Sequence, residues 1–354
     1  MYNRMKTAVL FLFIAAILQG CNPSTNTAEQ VSSADTTDAT NDFYDNATTH
    51  LLTNNGKIKV DGEVSEPDEV SFQDLKRRSV IVKETVLENG KEEFVGAYRY
   101  EGYSLYDLLN EVNIEKANKE GFAPIIDLYV TITGSNGEEA VLSWGEIFYP
   151  VNRHQILVAT RVTPILPSKT NEKWPLPEVS KLVVGTDLVT ERNIPQPVNI
   201  RVHSLDAGYE VKRDLERLYS PEVKVYHGAE QKTTIGDPPD GQEKYSYPNT
   251  FYGRGRGIHG ISEFRGYRLK DLLPGKKQQR DDYIRRGIYT IAAPDGYRAA
   301  FTYSEIMNRN DQSEALMMDY GKGTEDGRWR LFMPADFFSD RAIKAVRQIR
   351  LDLK

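Results

Sequence analysis

The segment Tyr100-Glu-Gly-Tyr-Ser-Leu-Tyr-Asp-Leu-Leu109 decides the fold, because it returns 164 residues later as Phe264-Arg-Gly-Tyr-Arg-Leu-Lys-Asp-Leu-Leu273. In both copies a glycine turn precedes leucines that share one helical face, so each copy predicts a short amphipathic helix. Two further blocks repeat in the same order: 131–147 returns as 290–306, and 182–201 returns as 331–350. This period is far longer than that of a solenoid, and it indicates a duplicated domain.

Hairpins are predicted at equivalent places in the two copies. In the first copy the β-branched strand 129–133 leads into Asn136-Gly137, a dipeptide typical of hairpin turns. The second copy has the strand 289–292 and then Asp295-Gly296. Each copy should therefore contain an antiparallel strand pair next to its short helix.

Capping boxes follow both hairpins. Ser143-Trp-Gly-Glu146 and Thr302-Tyr-Ser-Glu305 each place a hydroxyl three residues before a glutamate, so a helix is predicted to begin at each. The two glutamates could also be read as paired catalytic acids, but the capping role explains both their type and their spacing. The predicted fold class is α+β, with two tandem mixed β-sheet modules at 50–206 and 207–354 that contain short helices.

The N-terminus predicts export and attachment to a lipid bilayer. Arg4 and Lys6 precede the apolar run 8–18, which is too short to cross a membrane and is typical of a secretory signal. The ending Leu18-Gln-Gly-Cys21 resembles the bacterial lipobox, and Cys21 is the only cysteine of the chain. We expect residues 1–20 to be removed and Cys21 to be acylated. Asn22 favours the outer membrane, with the protein facing the periplasm or the exterior.

The residue composition and the net charge limit the classes of molecule that the protein can bind. Residues 21–49 are rich in Ser, Thr, Asn and Asp, which predicts a flexible tether between the lipid and the folded body. The formal charge of the whole chain is −6, which argues against nucleic acid as the main partner. Without a cysteine after Cys21, the body can form neither disulfides nor thiolate metal sites, and its histidines show no metal-ligand spacing.

Taken in order, these segments resemble the molybdopterin-binding domain of sulfite-oxidase-type oxidoreductases. The resemblance covers most of 55–203 and again 223–354. It implies the fold of that domain in both modules and, where the chemistry persists, a molybdopterin-dependent oxidoreductase. It is carried by Val60-Asp-Gly62, a helix start at Ser71-Phe-Gln-Asp-Leu75, the two Gly-x-x-Leu-x-Asp-Leu-Leu segments, Ser143-Trp-Gly-Glu146, and Arg330-Leu-Phe-Met-Pro334 with Arg341 and Lys344 after it.

One departure from that family decides the functional prediction. Its enzymes hold molybdenum through a cysteine thiolate between the first strand and the Gly-x-x-Leu helix, and neither 63–101 nor 229–265 contains a cysteine. A soft thiolate is hard to replace for such a metal, so no metal and no cofactor is predicted. The leading hypothesis is a non-catalytic binding or interaction subunit. The alternative is an oxidoreductase that holds molybdopterin without a thiolate ligand.

The window in the second copy carries the candidate ligand-binding residues. Its 236–260 stretch, rich in glycine and aromatic residues, is predicted to be a loop and contains Arg254, Arg256 and His259. Two arginines in a glycine setting suit a small anion such as a phosphate or a sugar acid. Protonation of His259 would raise the affinity as the pH falls through about 6.5. The alternatives are a solvated loop whose arginines pair with surface carboxylates, or a surface for an unknown envelope protein.

Overall fold

The computed structural model describes residues 48–167, 170, 172–205, 208–209, 211–275 and 280–354. The predicted signal peptide, Cys21 and all of the predicted tether before residue 48 lie outside these residues. The described residues belong to one compact unit. In the part of the chain that the structure describes, no helix has both the length and the apolar character needed to span a bilayer.

The described residues are mostly β-structure with short helices, which confirms the mixed-sheet character predicted from the sequence. The first half contains β1 (His50–Leu51), β2 (Lys57–Gly62), β3 (Asp68–Ser71), β4 (Arg78–Glu88), β5 (Lys91–Ser104), α1 (Leu105–Asn110), β6 (Leu128–Gly134), β7 (Glu139–Ser143), α2 (Trp144–Phe148), β8 (Ile156–Pro164), β9 (Lys181–Val184) and β10 (Pro197–Ser204). The second half contains β11 (Val223–His227), β12 (Glu230–Ile235), β13 (Tyr245–Gly253), β14 (Gly257–Arg268), α3 (Leu269–Leu272), α4 (Arg280–Arg286), β15 (Gly287–Ala292), β16 (Arg298–Thr302), α5 (Tyr303–Met307), β17 (Leu316–Asp319), β18 (Trp329–Phe332) and β19 (Gln348–Leu353). Short 3-10 helices lie at Ile125–Asp127 and Ser339–Arg341.

The two halves have the same strand order. One sheet of the first half runs β3-β2-β10-β6-β7, and its counterpart runs β12-β11-β19-β15-β16. In these sheets β2 pairs in parallel with β10 and β11 pairs in parallel with β19, and the other pairs are antiparallel. The other sheet contains the run β4-β5-β8-β9 in the first half and β13-β14-β17-β18 in the second. The repeated sequence blocks therefore occupy equivalent strands, while the domain boundary at residues 206 and 207 stays a prediction.

Local sequence signals explain several of these elements. Gly137 and Gly296 both turn their hairpins with φ of 84°, a conformation that glycine adopts without strain. Both capping boxes form as predicted, with Ser143 beginning α2 and Thr302 beginning α5. Leu105, Leu108 and Leu109 are buried on one face of α1, which confirms the amphipathic helix of the first copy.

The predicted helix start at residues 71–75 is wrong, because this segment is a turn. The hydroxyl of Ser71 accepts the backbone N–H of Gln73 at 3.2 Å, only two residues further along the chain. The chain then makes a single turn, in which the N–H of Leu75 donates to the carbonyl of Phe72 at 3.3 Å, and no helix follows. The turn ends where β4 begins at Arg78.

The repeated glycine of the two sequence copies has a steric role. Gly102 lies in β5 against Val158 of β8, and Gly266 lies in β14 against Met317 of β17. A Cβ on Gly102 would collide with the carbonyl oxygen of Val158, and one on Gly266 would lie 2.6 Å from that of Met317. Both positions therefore require the close backbone approach that only glycine allows.

We expect Gly102→Ala and Gly266→Ala each to lower the free energy of unfolding by about 1–3 kcal/mol, because the neighbouring backbone must move. Urea unfolding followed by circular dichroism measures this. The matched control is Gly260→Ala, in the same strand as Gly266 but with nothing within 4 Å of the added Cβ. Equal stability of all three variants would contradict the steric role.

Candidate functional site

The two halves exchange short backbone pairings after α2 and after α5. Val151 N–H donates to the carbonyl of Ala335 at 2.9 Å, and Phe337 N–H donates to that of Tyr149 at 2.8 Å. The equivalent pairing joins 186–188 of the first half to 308–310 of the second, with bonds of 2.8 and 3.0 Å. The junction is therefore an approximate two-fold arrangement within one chain.

A buried charge network lies at this junction. Arg192 donates to both oxygens of Asp187 at 2.8 and 2.7 Å and to both oxygens of Glu146 at 2.9 and 3.0 Å. In the second half Arg341 donates to both oxygens of Asp336 at 2.8 and 2.7 Å and to Glu305 at 2.7 Å. These side chains are all at most 5% exposed, so the network is closed to a substrate.

The capping boxes of the two halves connect the network across the junction. The hydroxyl of Ser143 donates to Glu305 of the other half, and the hydroxyl of Thr302 donates to Glu146 at 3.2 Å. Each glutamate thus caps its own helix, pairs with an arginine of its own half and accepts a hydrogen bond from the other half. The capping prediction is confirmed, while the connection between the halves was not predicted.

Burial raises the pKa of Glu146 to about 7, against the attraction of Arg192 and with added repulsion from Glu305. The folded protein therefore holds a proton at Glu146 in a pH range where the unfolded chain has already lost it. Such a group stabilises the fold most at low pH, and its contribution disappears as the pH rises through about 4.5 to 7.

An open cleft of about 560 Å³ lies beside the junction, between the β13–β14 hairpin and the paired segments 149–151 and 335–337. Its lining is mainly apolar, and Val151 and Ile261 are 70% and 78% exposed. The lining consists of Val151, Pro248, Asn249, Thr250, Tyr252, Ile261, Asp336 and Phe337. Its volume lies within the range of about 300–1,000 Å³ in which small molecules bind.

The equivalent hairpins of the two halves are held by different contacts beside the junction. In the first half the backbone of Thr85 pairs with Thr190, and the N–H of Leu87 donates to Glu191 at 2.7 Å. That hairpin also packs Leu87 against the buried cluster that the two halves share. In the second half the equivalent hairpin leaves Tyr252 and Ile261 exposed along the cleft.

The segment predicted as a loop is largely a β-hairpin, and the loop prediction is wrong for 245–260. Tyr247 and Phe251 alternate along β13 and pack on the cluster of Leu316, Met318 and Phe332. This alternation outweighs Pro248, which is tolerated because β13 is an edge strand. The alternating aromatic residues were the signal that could have identified the strand.

The three candidate ligand-binding residues lie at or near the tip of this hairpin. Arg254 pairs with Asp340 at 3.2 Å, as the alternative interpretation of a surface ion pair expected. Arg256 is exposed at the turn, and no described residue pairs with it. His259 is exposed, and its ring contacts that of Phe251 edge-on at 5.6 Å between centroids. None of the three lines the cleft itself, and their role in binding stays a prediction.

Ser104, Asp107 and His154 lie close together but do not have the geometry of a catalytic triad. The Ser104 hydroxyl lies 3.0 Å and the Asp107 carboxylate 3.7 Å from the same ring nitrogen, Nδ1 of His154. A triad needs the serine and the acid on opposite nitrogens. Ser104 is fully buried as the cap of α1, and Asp107 binds Arg78 at 2.9 Å.

The donors at the cleft do not fit molybdenum. Thr250 and Asn249 offer hard oxygen and nitrogen donors, and Asn249 already donates to the carbonyl of Pro334 at 3.2 Å. Both oxygens of Asp336 are held by Arg341. A molybdenum centre of the resembling family would need a soft thiolate here. Among the described residues, no group of three or more His, Cys, Asp and Glu is arranged to hold a metal.

No protein-family model matches the chain, and no curated protein sequence matches it significantly. The geometry of the cleft and the charges around it are therefore the basis for assigning a function.

We expect the free energy of unfolding to fall as the pH rises from about 4.5 to 7, by up to about 3 kcal/mol from Glu146. Glu146→Gln should flatten this dependence, because the variant has no carboxyl to deprotonate. Urea unfolding at several pH values measures the difference between wild type and variant. The control is Glu139→Gln, on the exposed part of the neighbouring strand. Parallel curves for wild type and Glu146→Gln would contradict the raised pKa.

Proposed function

We propose that this chain is an exported envelope lipoprotein whose body is a non-catalytic binding subunit for a small amphiphilic anion. The observation that carries the proposal is the 560 Å³ cleft with its exposed apolar side chains. Large apolar side chains that share one concavity are typical of binding sites, whereas scattered ones are ordinary on protein surfaces. An apolar portion of a ligand would lie against Val151, Ile261 and Phe337.

The charge near the cleft supports an anionic ligand. Tyr252 lines the cleft, and the hairpin turn with Arg254 and Arg256 follows directly in the chain. Four residues of extended chain span only about 13 Å, so the acidic group of a medium-sized ligand can reach this turn. Arg256 has no described partner, and guanidinium groups bind carboxylate and phosphate with paired hydrogen bonds.

We further propose that the two halves are modules related to the molybdopterin-binding domain of sulfite-oxidase-type oxidoreductases. The repeated sequence blocks, the mixed sheets and the shared strand order support this relationship. The family's redox chemistry is not part of the proposal, because the donors at the cleft suit hydrogen bonds to an organic ligand. In this respect the fold and the activity are inherited separately.

The membrane attachment is proposed from the lipobox-like sequence. Acylation of Cys21 would bury fatty chains in a bilayer, and each buried methylene contributes about 0.8 kcal/mol. The polar stretch 22–47 would separate the lipid from the body.

We expect the dye 1-anilinonaphthalene-8-sulfonate, an apolar anion, to bind the folded body saturably. The double variant Ile261→Ser, Phe337→Ser should bind it about tenfold more weakly, because it removes apolar surface from the cleft. Fluorescence titration measures the affinity, and circular dichroism checks the fold. The control is Ile81→Ser, which changes an exposed isoleucine on β4 of the first half.

Two results would contradict the proposed function. Equal binding by wild type and the double variant would remove the cleft as the binding site. Recovery of about one molybdenum with a released pterin per chain from native membranes would favour the oxidoreductase alternative.

We expect Cys21→Ala to move the protein from the membrane fraction to the soluble fraction, because the acylated residue is lost. Immunoblotting of fractions after a high-salt wash measures this. Asn22→Ser, the matched control, should stay in the membrane fraction. Membrane retention of the Cys21→Ala protein would show that another anchor exists.

A further inference from the structure

A second cleft lies in the first half, far along the chain from the hairpin of the proposed function. It has a volume of about 460 Å³ and opens between β1, the turn after β3 and the middle of β8. Leu52 and Phe72 are buried in its floor, and Phe72 stacks on Tyr103 with ring centroids 4.8 Å apart. The floor is therefore apolar and partly aromatic.

The rim of this cleft is basic and carries no acid. Arg77 and Arg161 line it, together with the hydroxyls of Ser71 and Thr160 and the amide of Gln73. Within the described ranges neither arginine forms an ion pair. Glu101 lies opposite Arg161 on the neighbouring strand but pairs with Arg99 at 3.0 Å. Two free guanidinium groups at one concavity are notable in a chain with a net charge of −6.

In the second half the position equivalent to this cleft is filled by side chains. By strand register Phe72 corresponds to Asp237, and Thr160 corresponds to Asp319. In the second half Arg328 bridges these two aspartates, at 2.8 Å to Asp237 and at 2.8 and 2.9 Å to Asp319. The first half thus has an aromatic ring and a hydroxyl where the second half has carboxylates.

A tryptophan completes the closure in the second half. Trp329 is fully buried, and its indole N–H donates to the carbonyl of Gly236 at 3.1 Å. The residue in register with it in the first half is Ser180. The first-half cleft therefore has neither the large ring nor the two acids that fill this place in the second half.

We propose that this first-half cleft binds a small organic anion, through Arg77 and Arg161 to a carboxylate or phosphate group. The hydroxyls of Ser71 and Thr160 and the amide of Gln73 suit the polar remainder of such a molecule. Guanidinium forks match the oxygen pairs of both groups, so the shared chemistry is an oxyanion on a hydroxylated scaffold. The volume accommodates a molecule the size of a sugar phosphate or a sugar acid.

Calorimetric titration of the folded protein with glucose 6-phosphate and, separately, with glucuronate tests the proposal and distinguishes phosphate from carboxylate. Wild type should bind at least one of them saturably. The double variant Arg77→Gln, Arg161→Gln should bind about tenfold more weakly or not at all, because two charge-assisted contacts are lost. The control with the same charge change is Arg265→Gln, Arg347→Gln, at two exposed arginines that line neither cleft, and it should bind these probes like wild type.

A milder variant tests the same site without removing an arginine. Gln73→Asp places a carboxylate in the lining of the cleft, and it should weaken binding by pairing with the free guanidinium groups. Dye binding at the hairpin cleft should be unchanged in all first-half variants, which separates failure here from failure of the proposed function. No saturable binding of either probe, or equal loss in the Arg265 and Arg347 control, would overturn the proposal.

Discussion

The hydrogen bonds of Ser143 and Thr302 to the capping glutamates of the opposite half are the contacts on which the rest of the structure depends. They close a network of arginines and carboxylates that is shut off from water. Charges removed from water are costly unless every partner is present, and removing one partner of a buried pair typically costs about 3–5 kcal/mol. Separating the halves would therefore take from each capping glutamate the hydroxyl donor that only the other half supplies. This explains why Phe122, Tyr149 and Val189 of the first half share one buried cluster with the second.

Divergence between the halves is concentrated where this shared framework ends. The junction fixes the segments that carry Val151 and Phe337, while the hairpin beside them is free to differ. In one half the hairpin is held by backbone hydrogen bonds of Thr85 and Leu87, and in the other by the ion pair of Arg254 with Asp340, with the cleft beside it. The first-half cleft shows the opposite difference between the halves. Trp329 fills this position in the second half, and Ser180 leaves it open in the first. Duplication thus produced one scaffold with two differently placed concavities.

Local patterns predicted the parts of the fold that depend on neighbours in sequence. The leucines of α1, the Asn136-Gly137 turn and both capping boxes need only a few adjacent residues to be recognised. The partner of Glu146 across the junction is Thr302, and no local pattern links residues so far apart. The cleft could not be predicted either, because no local pattern links Val151 to Phe337. Candidate residues with distinctive chemistry, such as Arg254, were identified more easily than the apolar surface beside them.

The parallel pair in each sheet has a consequence for how the chain folds. β10 lies in the middle of its sheet, between β2 and β6, and β19 lies between β11 and β15. Each sheet therefore stays divided into two pieces until the strand made last in that half has been inserted. Because such long-range pairing is slow, each of these sheets is completed late in folding, after its last strand has been synthesised. A product cut short before β19 cannot assemble its second half, and its exposed strand edges mark it for proteolysis.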